Sequence, residues 1–105
     1  NYSQIIYIAD VAGEMLSTAM SAFEERDAEM AREMAHKDAL IDQECRSILR
    51  GLIGYMMEGN SDLAVVMQVG LVTRSVERIG DHAKNISEYV LYMIKGRSAR
   101  NYCTI

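Results

Sequence analysis

The sequence contains no proline and no tryptophan, a single phenylalanine and only two cysteines. Without proline nothing forces a break in a helix, so a long periodic stretch can run uninterrupted. Cys45 and Cys103 lie far apart with no C-x-x-C spacing, which excludes a disulfide framework and points to a reducing, cytoplasmic setting. No apolar run approaches the roughly 18 residues that span a bilayer. A signal peptide is not visible either. Basic blocks are missing too, and a formal net charge of −4 argues against a nucleic-acid binder. There is no glycine-rich phosphate loop and no nucleophile–base pairing, so the chain is not expected to be an enzyme.

The residues that are present are helix-forming material. Half of the 105 are hydrophobic, a quarter are charged, and eight are methionine. A first helix is expected from about Tyr2 to Glu25, with Ile5, Ile8, Ala12, Met15 beside Leu16, Ala19 and Phe23 recurring at three and four. Asp27 suits the N-cap of the next helix, and Glu29 favours its dipole. That second helix should run from Ala28 to Glu58 on a line of Met30, Met34, Ile41, Cys45, Ile48, Leu52 and Met56. The slot between Met34 and Ile41 belongs to the same line and is filled by Asp38. Gly59-Asn60 reads as a turn, with Gly59 left-handed and Asn60 or Ser61 capping the third helix.

The third helix is expected from Asp62 to Lys95, its apolar line made of Val65, Val69, Val72, Val76, Ile79, Ala83, Ile86, Val90 and Met93. Gly96 should end it and leave residues 97–105 as a tail. Long helices with short connections fold back on one another, so the expected architecture is all-α: an antiparallel up-down-up three-helix bundle over residues 1–96. The start at Asn1 and the short first helix point to a trimmed piece.

A second stripe of Glu77, Asp81, Asn85 and Glu88 runs beside the third helix's apolar line. Glu77 and Asp81 repel one another at i, i+4, which costs a few tenths of a kcal/mol on an isolated helix. A turn centred between Gly59 and Asn60 sets Asp42 level with Glu77, and Asp38 level with Asp81. Four carboxylates converging on a partly buried groove raise one another's pKa or require a cation. Oxygen donors of this kind suit iron, manganese, magnesium or calcium, with zinc through mixed ligation. Ion pairs of Asp42 with Arg46, Glu77 with Arg74, and Lys84 with Asp81 or Glu88 are the ordinary alternative. Glu33 and His36 form one E-x-x-H unit, whereas a di-iron carboxylate bundle needs two. His82 reads as a surface residue, the methionines as core.

The run RSVERIGDHAKNISEYVLYMIKG resembles the signature helix of the phosphate-uptake regulator family, PhoU. The upstream segments MLSTAMSAF, HKDALIDQECRSIL and LIGYMMEG are similar to the earlier helices of the same repeat. The resemblance implies one of two three-helix repeats, matching the second best. It implies metal-ligand roles for Asp38, Asp42, Glu77 and Asp81, with Asn85 and Glu88 flanking, around an iron or zinc cluster. It also implies a cytoplasmic negative regulator of phosphate-starvation signalling that contacts the ATPase subunit of a phosphate ABC transporter and a sensor histidine kinase. The alternative is a metal-dependent, di-iron-like carboxylate-bundle enzyme. A single repeat leaves apolar surface uncovered, so a homodimer is expected through side chains such as Ile6, Tyr7, Tyr89 and Tyr92.

Overall fold

The structure, a computed structural model, describes residues 2–103. Three helices account for nearly all of them: α1 (Ser3–Glu25), α2 (Ala28–Met57) and α3 (Leu63–Cys103). Every pair of helices is in contact. Residue numbers rise along α2 as they fall along α3. One end brings Ile5 together with Ile48, Leu52, Val65 and Val69, and the other gathers Ala22, Ala31 and Val90.

The connections form as the local chemistry dictates. Arg26 closes α1 in the left-handed conformation, at φ 55°. The Asp27 carboxylate then accepts hydrogen bonds from the backbone N–H groups of Glu29 and Met30, at 3.0 and 3.2 Å, satisfying two orphan donors of α2. Gly59 takes φ 87° at the second turn, where a Cβ would strain the backbone. The cap of α3 is Asp62, not Asn60 or Ser61: its carboxylate accepts from the N–H of Ala64 at 3.0 Å. The Asp62 N–H in turn donates to the Tyr55 hydroxyl at 2.9 Å, pinning the turn to the end of α2.

The buried side chains fall on three heptad seams. On α1 they are Ile8, Ala12, Met15, Ala19 and Ala22. On α2 they are Ala31, Met34, Asp38, Ile41, Cys45 and Ile48. The α3 seam consists of Thr73, Val76, Gly80, Ala83, Ser87 and Val90. Alternating steps of three and four are the spacing by which knobs of one helix enter holes of another.

These seams correct the expected apolar lines at several points. Ala22, not Phe23, faces the core, and Phe23 is 46% exposed. Val72, Ile79 and Met56 are exposed as well, while Thr73, Gly80 and Ser87 are buried. The cause is the register of the seam: alternating steps of three and four through Val76, Ala83 and Val90 select Thr73, Gly80 and Ser87, and the same steps on α1 select Ala22 beside Phe23. Buried Ser87 satisfies its hydroxyl by donating to the Ala83 carbonyl at 3.0 Å.

Gly96 does not end α3. The helix continues to Cys103 through the segment expected as a tail, because one glycine costs only about 1 kcal/mol and the sequence has no proline to stop it. Thr104 and Ile105 of that segment lie outside the described residues.

Truncating a seam residue and an off-seam one separates these assignments. Met15→Ala should lower unfolding free energy by about 2–5 kcal/mol. Phe23→Ala should cost less than about 1 kcal/mol, and urea denaturation of both variants measures the difference.

Candidate metal centre between α2 and α3

Asp38 occupies a heptad position where an apolar side chain would ordinarily sit, and it is 4% exposed. Its neighbours are set by the seams. On α3, Gly80 lies opposite, and a Cβ there would stand 3.6 Å from Asp38 Oδ1 and from the Ile41 side chain. The absence of that methyl leaves a small opening beside the carboxylate. Oδ1 is buried without a hydrogen-bond partner. Oδ2 pairs with Lys84 Nζ at 3.7 Å. This partner is a correction, since the sequence pairs Lys84 with Asp81 or Glu88.

Asp42 and Asp81 complete the group. One carboxylate oxygen from each of Asp38, Asp42 and Asp81 lies within 4.8 Å of the others, with Asp38 buried, Asp42 half-buried and Asp81 exposed. Glu77 is not a fourth member of this group. It sits half-buried one turn before Asp81, and its charge bears on Cys45 instead. Asn85 and Glu88, expected at the flanks, are exposed. Glu33 and His36 are exposed too and contribute nothing to the acidic group, and His82 is at the surface. Glu14 is not in the acidic group; it lines a groove of α1 and α2 with Tyr7, Asp10, Lys37 and Leu40. Among the described residues, Asp42–Arg46 and Glu77–Arg74 do not form ion pairs.

Side chains lean toward the N-terminus of their own helix. Since α2 and α3 pair rising with falling residue numbers, two residues at equal backbone height lean apart. Asp38 therefore meets Lys84, one turn beyond the level residue, and Asp42 meets Asp81. Glu77 leans away toward the level of Cys45. The signal was available in the sequence, as a Lys three residues after Asp81 on the same face, but it becomes readable only with the lean included.

The electrostatics reflect this packing. Burial pushes the Asp38 carboxyl above its ordinary value of 3.8; Asp42 and Asp81 push the same way, and Lys84 opposes them. Burial also pushes the Cys45 thiol up to about 11, with Glu77 and Asp42 adding to the shift. Cys45 is therefore a protonated, inert core side chain at neutral pH. Three hard oxygen donors, one of them orphaned in the core, are chemically suited to a divalent cation.

The sign of the Asp38 shift fixes a pH dependence. A carboxyl raised in the folded state binds its proton more tightly there than in the unfolded chain. Its ionisation therefore destabilises the fold above the folded pKa, and the loss disappears below 3.8, the unfolded value. Asp38→Asn should accordingly melt above the wild type at pH 7 in chelator, and the advantage should vanish as pH falls below 3.8. Thermal melts across that range check both halves.

Known proteins resemble this chain over most of its length. The PhoU domain model matches residues 5–90. The chain is 41% identical over 100 residues to a phosphate-specific transport system accessory protein PhoU homolog of Pseudomonas putida, covering 95% of this chain and 39% of that protein. It is 36% identical over 88 residues to the phosphate-specific transport system accessory protein PhoU of Escherichia coli, covering 84% and 36%. The crystal structure of PhoU from Pseudomonas aeruginosa superposes with a TM-score of 0.86 at 38% identity, covering 90% of this chain and 46% of that one. The chain thus spans less than half the length of these relatives. With the domain matched from Ile5 to Val90, through all three heptad seams, this chain belongs to the PhoU family.

Proposed function

We propose that this chain is a regulatory unit of phosphate uptake: an all-helical adaptor, running up-down-up, that acts by contact and not by catalysis. The observation that carries the reading is its relationship, across nearly its whole length, to accessory proteins of the phosphate-specific transport system. In that role it represses phosphate-starvation signalling by contacting the ATPase subunit of a phosphate ABC transporter and the cytoplasmic domain of a sensor histidine kinase. Its own surface favours contact chemistry. Ile53, Met57, Leu63, Met67 and Leu71, on the two helices that the α2–α3 turn joins, are all more than half exposed. A cleft of about 380 Å³ opens at the same end between Ile5, Leu52, Tyr55 and Val69. No helix among the described residues is long and apolar enough to cross a membrane, and on this reading the membrane is reached only through the partners, from the cytoplasm.

The acidic group belongs to the same proposal. Asp38 Oδ1, Asp42 and Asp81 would supply the donors for an iron or zinc ion, with Glu77 joining only if its side chain turns. A bound cation would neutralise the converging charges and tie α2 to α3. We further propose self-association as a twofold dimer through Ile6, Tyr7, Tyr89 and Tyr92, which are 60%, 47%, 60% and 74% exposed.

Two measurements test these readings. Pull-down of the purified transporter ATPase subunit and of the kinase cytoplasmic domain by the chain should succeed with the wild type and weaken in Met57→Lys/Leu63→Lys. Retention of neither partner by the wild type contradicts the adaptor role. Metal analysis after growth in iron- and zinc-supplemented medium should find the ion in the wild type and not in Asp38→Asn/Asp81→Asn. Undiminished metal in the double variant would refute these ligands.

A further inference from the structure

Among the described residues, Lys84 is the one group in contact with Asp38 whose charge opposes a cation. Its ammonium stands 3.7 Å from Asp38 Oδ2, while Oδ1 has no partner. The two sides of the pair are unequal: the Lys84 side chain is 44% exposed and that of Asp38 only 6%. Lys84 can therefore swing into water, where an ammonium is well hydrated, and the carboxylate cannot follow. Fully ionised, Asp38, Asp42 and Asp81 carry three negative charges, and Lys84 offsets one of them.

We propose that Lys84 is the internal competitor of the acidic group, holding Asp38 Oδ2 in the cation-free protein and limiting how tightly a divalent ion is taken. This rests on the proposed metal role of Asp38, Asp42 and Asp81 and adds to it a residue that sets affinity without being a ligand. With Oδ2 held by the ammonium, Asp38 offers one oxygen to an incoming ion. The ion then binds against the repulsion of a nearby unit positive charge, which across about 6 Å of water-like dielectric weakens divalent binding roughly tenfold, and more where the site is shielded. Displacing Lys84 frees Oδ2 and removes the repulsion, so the ammonium acts as a plug whose departure and the ion's arrival are coupled.

The test is a Mn²⁺ titration at pH 7 and low ionic strength, with free ion counted by electron paramagnetic resonance. Mn²⁺ is an oxygen-preferring ion that stays divalent in air on the timescale of the titration. Wild type, Lys84→Gln, Lys84→Arg and Asp38→Asn are compared, with Lys84→Met as a second neutral replacement that preserves the apolar stem. The neutral variants should bind Mn²⁺ at least about tenfold more tightly than the wild type, and Lys84→Arg should bind like the wild type. A second readout needs no affinity measurement. Without Mn²⁺ the neutral variants should melt below the wild type, since a buried carboxylate has lost its counter-charge. Saturating Mn²⁺ should raise their melting temperature by more than it raises that of the wild type. If Asp38→Asn abolishes binding while both neutral Lys84 variants bind with wild-type affinity, the competitor role is wrong and the metal reading stands. If Asp38→Asn binds like the wild type, or no variant binds Mn²⁺ at millimolar concentration, the metal reading falls and this inference falls with it.

Discussion

The Asp38 carboxylate sits on the α2 seam, facing Gly80 and Lys84 of α3, with one oxygen paired and the other bare. Around it the bundle is apolar and heptad-spaced, as a three-helix core should be. A charge at such a position is costly in isolation, and the compensation visible here is incomplete. The features nearby depend on that imbalance. Gly80 leaves space at the bare oxygen, Asp42 and Asp81 converge on it, and Lys84 reaches across from a half-exposed position. Polar groups in coiled-coil seams commonly fix register at some expense of stability, and Asp38 is placed to do so for α2 against α3.

Helix boundaries at Glu25 and Ala28, the Asp27 cap and the left-handed Gly59 are legible in the sequence, because they arise from local backbone chemistry that tertiary contacts do not override. The core-facing position of Asp38 is legible too, from its place between Met34 and Ile41 in a periodic line. The side that α3 buries is legible from Val76, Ala83 and Val90, but two positions within it are not, Thr73 and Gly80. Two apolar lines compete there, and hydrophobicity alone favours Ile79 and Val72 over Gly80 and Thr73. The three-and-four spacing set by Val76, Ala83 and Val90 puts Thr73 and Gly80 on the seam and leaves Val72 and Ile79 one position off it. Placement within the acidic group fails for a different reason. Matching residues by backbone height ignores the lean of each side chain toward its own N-terminus, which exchanges Asp81 for Lys84 as the partner of Asp38 and moves Glu77 toward Cys45. The stop expected at Gly96 fails because a single glycine is a weak terminator where nothing else breaks the helix.

On the proposed reading, the cation site and the contact surface lie on one helical hairpin, α2 and α3. A cation held by Asp38, Asp42 and Asp81 would bridge α2 and α3 at mid-height, whereas the exposed apolar side chains gather near the turn that joins those two helices. An ion at mid-height could therefore alter how firmly the α2–α3 hairpin presents its tip to a partner without itself being part of the contact. Cys45, one turn beyond Asp42 and buried, adds no redox chemistry to this site, since its thiol is held protonated.

The proposed cation site and the proposed role of Lys84 both depend on Asp38 being a buried carboxyl whose ionised form is under-compensated. The most direct measurement is a ¹³C NMR titration of its side-chain carboxyl in the full chain, in chelator and then with Zn²⁺. The account predicts a titration midpoint above 3.8, the ordinary value, without metal, falling when Zn²⁺ is added. A midpoint at or below 3.8 in chelator would mean that the carboxylate is already satisfied, and would contradict the account.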